Sequence, residues 1–393
     1  MKPVLILHLS DLHFGKHSRF ADSNPAELGK LFAQAVKEES NRRKFPAINL
    51  VIATGDIAEA ARPPEYNQAL TFFNTLAQEL KISPINFVFA PGNHDVSWTK
   101  CTDSENELYN ELIDEKEFLR RIEIDKFYFF EKFLKDFYQK ETRSRAQPLK
   151  EAQAFVYDFN DLNISVGVLN SCEQVTNKKH EGQLSRKQAQ ALMDYWQKNK
   201  IAGLLNIVAV HHNPVATTQA NIEDWRRFAC EKGGIDKKDV DRFIYDIVGF
   251  NGSETLKHIA EDCQVSLILH GHQHEREQSL WEWKHGKGMC RILSAGSWGL
   301  SPQKMPQDEP NSAQLVLLDP GKSEVSVCTL KYEPKARAEG HVAKGHFVSL
   351  DTIECDKRPL SLPDGFHSVS SNKPTCDYTE FLYEYRKRLA NFR

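Results

Sequence analysis

Along the chain, apolar residues come in short bursts that stop abruptly at polar, chemically capable residues. Val4 to Leu9 runs into Ser10-Asp11-Leu12-His13, Ile48 to Ala53 into Thr54-Gly55-Asp56, and Ile85 to Ala90 into Pro91-Gly92-Asn93-His94-Asp95. Further on, Ile164 to Leu169 precedes Asn170-Ser171, Leu204 to Val210 precedes His211-His212, and Val265 to Leu269 precedes His270-Gly271-His272-Gln273-His274. Bursts this short, β-branched and mostly without alternation, predict strands buried on both faces. Between them the period changes to a helical one. Residues 26–43 read as a helix, as do 65–80, with Tyr66, Leu70, Phe73, Leu76 and Leu80 at helical spacing, and 185–198, with Ala189, Leu192 and Trp196 on one face. Strands alternating with helices predict an α/β layered fold. In such folds the polar groups gathered beyond strand ends line the crevice.

Two regions break the rhythm. Residues 104–142 predict one or two helices rich in aromatics, among them Phe118, Phe127, Phe130, Phe133, Phe137 and Tyr138. They read as an insertion that buries its own aromatic face. Beginning just after Gly92-Asn93-His94-Asp95, it is also placed to cap a substrate. Near the C-terminus, Gln314–Asp319 and Glu324–Tyr332, joined through Pro320-Gly321-Lys322, predict a β-hairpin. Residues 333–376 read as loop or extended chain. Residues 377–393 carry a stripe of Tyr378, Phe381, Tyr385, Leu389 and Phe392, an amphipathic helix that covers the core or serves oligomerisation. The expected organisation is a catalytic domain over 1–305, with the helical insertion at about 100–150, and an extension over 306–393.

Composition narrows the class. Over 393 residues, 40% are hydrophobic and 27% charged, which excludes wholesale disorder. Lys+Arg 51 against Asp+Glu 54 leaves a net charge of −3, so no global basic field favours a long nucleic acid. The eight cysteines are scattered without a C-x-x-C pair, which predicts reduced thiols and no thiolate metal site. The apolar run Val4-Leu5-Ile6-Leu7 is too short for a signal-peptide core, and no stretch is long enough to span a bilayer. The expectation is a soluble, cytoplasmic protein without a membrane partner.

The polar strand ends then define the chemistry. In chain order they offer Asp11-x-His13, Gly55-Asp56, Gly92-Asn93-His94-Asp95, His211-His212 and Gly271-His272-Gln273-His274. Carboxylate, amide oxygen and imidazole without thiolate suit manganese, iron, zinc or cobalt. A carboxylate can bridge two ions, and Asp56, alone on its loop, is the natural bridge. His8, Arg276 and Ser297 lie near these motifs as lesser candidates, and Ser294–Gly299 reads as a strand end near the cleft or a simple turn.

Taken together, Asp-x-His, Gly-Asp, Gly-Asn-His-Asp, His and Gly-His-x-His in this order resemble the calcineurin-like metallophosphoesterases. Gly182-Gln183-Leu184, followed by Gln188 and Trp196, resembles a spacing in the class III cyclic-nucleotide phosphodiesterases. The resemblance implies a four-layer α/β sandwich, two mixed sheets flanked by helices. It implies a dinuclear centre in which Asp11, His13 and His274 hold one metal, Asp56 bridges, and Asn93, His211 and His272 complete the second site. His211 is preferred to His212 because the family's ligand directly follows the strand. His94 faces the substrate as proton donor or transition-state stabiliser, and Asp95 supports the loop or orients a neighbour; His212 and His270, read from their place beside the motifs, are candidates for bracing the ligands or contacting the phosphate. Two divalent cations, manganese first, would generate hydroxide for direct attack on phosphorus. The implied activity is hydrolysis of a phosphodiester of a nucleotide or other small substrate. A DNA or RNA nuclease of the same superfamily is the alternative, and a non-catalytic scaffold the third reading.

Overall fold

In the computed structural model, the structure describes residues 2–138, 146–149, 153–198, 204–215, 219–231, 236, 239–283, 288–305, 309–334, 346–349 and 356–363. The chain opens with β1 (Val4–Leu9), α1 (Pro25–Arg42), β2 (Ile48–Thr54), α2 (Pro63–Leu80) and β3 (Phe87–Ala90). The insertion follows as α3 (Trp98–Tyr109), α4 (Glu115–Glu123) and α5 (Tyr128–Tyr138). Then come β4 (Ala146–Pro148), β5 (Ala154–Phe159), β6 (Ile164–Leu169), β7 (Gly182–Gln183), α6 (Arg186–Lys198) and β8 (Leu205–Ala209). Next are α7 (Gln219–Glu231), α8 (Val240–Val248), β9 (Phe250–Asn251), α9 (Ser253–Asp262), β10 (Val265–His270), β11 (Gln278–Glu282) and β12 (Met289–Ser294). The last are β13 (Ser312–Asp319), β14 (Glu324–Glu333), β15 (His346–Ser349) and β16 (Asp356–Pro359).

Two mixed seven-stranded sheets result. One runs β15-β14-β13-β1-β2-β3 with β16 also on β14, and the other β11-β12-β10-β8-β6-β5-β4. The inner strands β1, β2 and β3 are parallel, as are β6, β8, β10 and β12. The predicted α/β fold, two mixed sheets flanked by helices, is therefore the observed one. Side-chain alternation builds two cores. Ile207 and Ala209 of β8 and Leu267 and Leu269 of β10 join Leu5, Leu7 and Leu315 in the main core. Val208 and Ile268 turn the other way, against Leu192 of α6 and Ile259 of α9. The inner strands are apolar on both faces because each face meets a packed layer.

Several expectations are modified. The β3 strand starts at Phe87 and not Ile85, because Pro84 opens a 3₁₀ turn over Pro84–Asn86. Among the described residues, the stretch expected as an insertion holds three helices, where one or two were expected. Asp114 caps α4 by accepting from the Glu117 amide, so the chain restarts there instead of continuing α3. The aromatic face of α5 is buried on the core and not within the insertion: Phe133 lies 5.2 Å from Phe89, and Phe137 5.1 Å from Phe87. The hairpin β13–β14 is central, with β13 antiparallel to β1 in register Leu7↔Leu315. Within the stretch expected as loop, β15 and β16 pair with β14. The helices α7 and α8, with a cluster of their own around Trp225, Phe228 and Ile244, escaped the sequence reading. Cys328 is disulfide-bonded, which corrects the expectation of reduced thiols throughout; Cys101, Cys172, Cys230, Cys263 and Cys290 are free. The amphipathic stretch 377–393 lies outside the described residues. Among those described, no helix is long and apolar enough to cross a membrane.

One buried cation fastens the insertion to the core. Lys126, 1% exposed, donates from Nζ to the carbonyls of Cys172 (3.2 Å), Glu173 (2.6 Å) and Val175 (2.9 Å). Burial lowers its pKa to about 8. Lys126→Met would strip partners from the carbonyls and cost on the order of 3 kcal/mol. A urea midpoint equal to that of wild type would contradict this.

Candidate metal centre

Asp11, Asp56, Asn93, His211 and His272 all lie just beyond the carboxyl ends of β1, β2, β3, β8 and β10, where the two sheets open together. The backbone there is unusual. Asp11 (φ 52), His13 (φ 47), Asp56 (φ 51), His272 (φ 75) and His274 (φ 58) occupy the left-handed region without being glycine. Such conformations cost on the order of 1–3 kcal/mol each and concentrate at functional sites. Close approach is enforced by glycine. A Cβ on Gly92 would come within 2.1 Å of Asp56 Oδ1, and one on Gly271 within 2.3 Å of Asp11 Oδ2.

The ligand candidates form two groups that meet at Asp56. In the first, Asp11, His13, Asp56 and His274 bring one potential ligand atom each to within 4.8 Å of one another. His274 Nε2 lies 3.3 Å from Asp11 Oδ1, and His13 Nε2 3.7 Å from Asp56 Oδ2. In the second, Asn93 Oδ1 is 2.9 Å from His211 Nε2 and 3.1 Å from His272 Nδ1, and His211 Nε2 is 3.5 Å from Asp56 Oδ1. The sequence motifs are thus brought together in full, although they span positions 11 to 274.

The donor chemistry fits cations. His13 Nε2 is buried with no hydrogen-bond partner among the described residues. His211 Nδ1 sits 2.8 Å from the Thr54 carbonyl, which can only accept, so Nδ1 carries a proton and Nε2 is the atom that faces Asn93 and His272. Burial, reinforced by His94, holds the His13 pKa well below its ordinary value; burial with His212 and His211 does the same for His272. Both rings are therefore neutral and able to ligate. Burial alone would raise Asp11, but the His274 hydrogen bond and charge outweigh it and hold the carboxyl low. For His211 burial acts downward, and the charges of Asp56 and Asp11 overcome it and raise its pKa.

His94 stands apart from both groups. Its Nδ1 is 2.6 Å from the Glu59 carbonyl, its peptide N–H donates to Asp56 Oδ1 at 2.8 Å, and its ring lies 4.9 Å from that of His13. With Nδ1 committed as a donor to that carbonyl, Nε2 is the ring nitrogen it leaves available.

The supporting candidates behave as braces. Asp95 accepts from the amides of Gly92, Ile57 and Ala58 and from Tyr66 Oη at 2.9 Å, tying the loops of Asp56 and Asn93 together. Burial and the nearby Asp56 push its pKa up to about 6. His212 lies against His272 with centroids 4.2 Å apart, and its Nδ1 is 2.8 Å from Ser171 Oγ. His270 is buried with its pKa lowered to about 4 by that burial. The segment after β12 wraps the Asp11 loop: Ser297 Oγ donates to the Asp11 carbonyl at 2.8 Å. Arg276 instead pairs with Glu309. Sequence reasoning missed the Glu59 carbonyl, Lys126 and the Trp98–His180 ring pair. A backbone carbonyl leaves no mark in residue identity, and the other two depend on contacts far apart in the chain.

His8 supplies a pH signature. Buried between Thr54 Oγ1 (3.0 Å) and Gln314, it has its pKa lowered by burial from 6.5 to about 3. The folded state resists protonation that the unfolded chain accepts near 6.5, so His8 stabilises fully above that pH and progressively less as pH falls toward 3. For metal-free protein the difference in stability between wild type and His8→Gln should change by about 1.4 kcal/mol per pH unit below 6.5. Urea midpoints at neutral and mildly acidic pH measure it; curves that stay parallel would rule it out.

A model of the calcineurin-like phosphoesterase family matches residues 4–276. A search of the curated proteins finds no match. Among solved structures, a Staphylococcus aureus protein provisionally called a 5′-nucleotidase, in complex with α-ketoglutarate, shares 14% identity with a TM-score of 0.36. The match covers 100% of this chain and 59% of that one, so this chain spans less than two thirds of its length. The calcineurin-like phosphoesterase YfkN from Bacillus subtilis shares 13% identity with a TM-score of 0.35, over 99% of this chain and 98% of that one. GAP50, an anchor in the inner membrane complex of Plasmodium, shares 10% with a TM-score of 0.36, over 100% and 96%. Likeness at this level carries no information on substrate. The family model matches well over half the chain and ends two residues beyond His274, and on that match the chain belongs to the calcineurin-like phosphoesterases.

Proposed function

We propose that this chain is a phosphodiesterase dependent on two divalent metal ions, acting on a nucleotide or another small phosphodiester. The observation that carries it is Asp56, whose two carboxylate oxygens each face a separate set of donors, Oδ2 toward His13 and Oδ1 toward His211. Asp11, His13, Asp56 and His274 would hold one ion, and Asp56, Asn93, His211 and His272 the other. Bound there, the ions would lower the pKa of water and offset charge on the phosphate oxygens. Manganese is the first candidate, with iron, zinc and cobalt as the alternatives that the thiolate-free set equally suits.

The chain's own residues do the rest. Gly271-His272-Gln273-His274 would supply one imidazole to each ion from a single turn, and its resemblance to the branches that act on small phosphodiesters is what favours a diester over a phosphoprotein. His94, held by Glu59, turns Nε2 to the leaving oxygen. Because Nδ1 already carries a proton, Nε2 can donate only when the ring is an imidazolium. Asp95 and Ser297 keep the ligand loops at fixed spacing.

A panel of phosphomonoesters, cyclic nucleotides, dinucleotides, single-stranded DNA and RNA, each with manganese, iron, zinc or cobalt, tests the proposal. Small diesters should turn over faster than monoesters or polymers, and only with metal. Preference for polymers would favour a nuclease, and no turnover with any metal would leave a scaffold.

A further inference from the structure

We infer that Trp98, backed by His180, forms an aromatic platform that binds a flat ring on the leaving-group side of the scissile ester. The assignment presupposes His94 as the leaving-group residue of the phosphodiesterase proposed above. Trp98 is a large apolar side chain that stays 36% exposed, and its ring centroid is 5.9 Å from that of His94. The His180 ring lies nearly parallel to it, 4.8 Å away at an interplanar angle of 9°.

Both rings are held in place. Trp98 begins α3, where the Ser97 amide donates to the Lys126 carbonyl at 2.8 Å and Val96 and Cys101 pack with Phe127 and Val175. The loop bearing His180 is fastened to α3 by Asn177 donating to Thr102 Oγ1 at 3.0 Å and by Lys178 on Glu105 at 2.8 Å. The His180 carbonyl lies 3.3 Å from His212 Nε2, which links the platform to the metal-ligand loops. An indole fixed beside the proton-donating imidazole offers stacking to a nucleobase or aryl leaving group, and nothing comparable to a flexible alkyl one. The substrate class is thus an ester whose departing alcohol carries a planar aromatic ring.

Kinetics of wild type, Trp98→Ala and Trp98→Phe with bis(p-nitrophenyl) phosphate, an adenine dinucleotide and glycerophosphocholine test this. Dividing variant by wild type for each ester cancels intrinsic reactivity. Trp98→Ala should lose about tenfold more kcat/KM on the two aromatic esters than on glycerophosphocholine. The loss should appear in KM, and Trp98→Phe should recover most of it. Equal losses on both ester classes, or a loss confined to kcat, would overturn the platform while leaving the hydrolase standing. Wild-type turnover of glycerophosphocholine alone would do the same. No metal-dependent turnover of any ester would overturn both.

Discussion

Asp56→Asn should remove metal binding and activity together. The carboxylate faces both donor groups, with Oδ2 3.7 Å from His13 Nε2 and Oδ1 3.5 Å from His211 Nε2, and it also accepts the His94 amide. An amide keeps one oxygen, loses the negative charge and turns an NH2 group toward one of the two clusters. Affinity should fall by more than the roughly 10–100-fold typical of an outer-shell partner, and turnover by about 10³-fold, the upper range for losing one transition-state contact. Asparagine suits the test because it tolerates the left-handed φ of 51 at this position, so the backbone need not move. Elemental analysis after dialysis, read beside the thermal melt, decides it. A variant that keeps its full complement of metal would refute the bridging role.

His94→Ala should separate catalysis from metal binding. Its ring contributes no atom to either donor group, and its Nδ1 is taken by the Glu59 carbonyl, so the truncation removes only what Nε2 does. A positioned general acid is worth about 10²–10⁴-fold in rate, and kcat should fall in that range with metal content retained. The loss should be smaller for p-nitrophenyl esters, whose leaving group needs little protonation, than for alkyl esters. Loss of both ions in His94→Ala, beside their retention in Asp56→Asn, would exchange the two assigned roles.

Much of the fold was legible because its signals are local. An apolar burst followed at once by Gly-Asp or Gly-Asn-His-Asp states both that a strand ends there and what stands at its end. The helices α1, α2 and α6 followed from periodicity that a few turns suffice to display. The misses came where sequence has no local marker. The aromatic face of α5 reads the same whether it packs on itself or on Phe87 and Phe89. Strands β15 and β16 are four residues each and exist through pairing with β14. The helices α7 and α8 are the exception: Ile222, Trp225 and Ala229, and Val240, Ile244, Ile247 and Val248, recur at helical spacing, a local signal that was passed over.

The site divides along the same line. By itself the sequence determined the kinds of donor, their order along the chain and their place at strand ends, because each motif is fixed by covalent neighbours. The residues alone did not say how the donors are shared out; the resemblance implied a division, and only the tertiary structure supplies the contacts behind it. Adjacent His211 and His212 are chemically identical, yet one turns Nε2 to Asn93 while the other lies against His272 and Ser171. Within Gly271-His272-Gln273-His274 the first histidine joins one group and the second the other. Those choices depend on the register of strands whose motifs are up to 263 residues apart and on how the ends of two sheets open together. Such contacts are set by packing across the whole core, and no stretch of sequence short enough to carry a motif contains them.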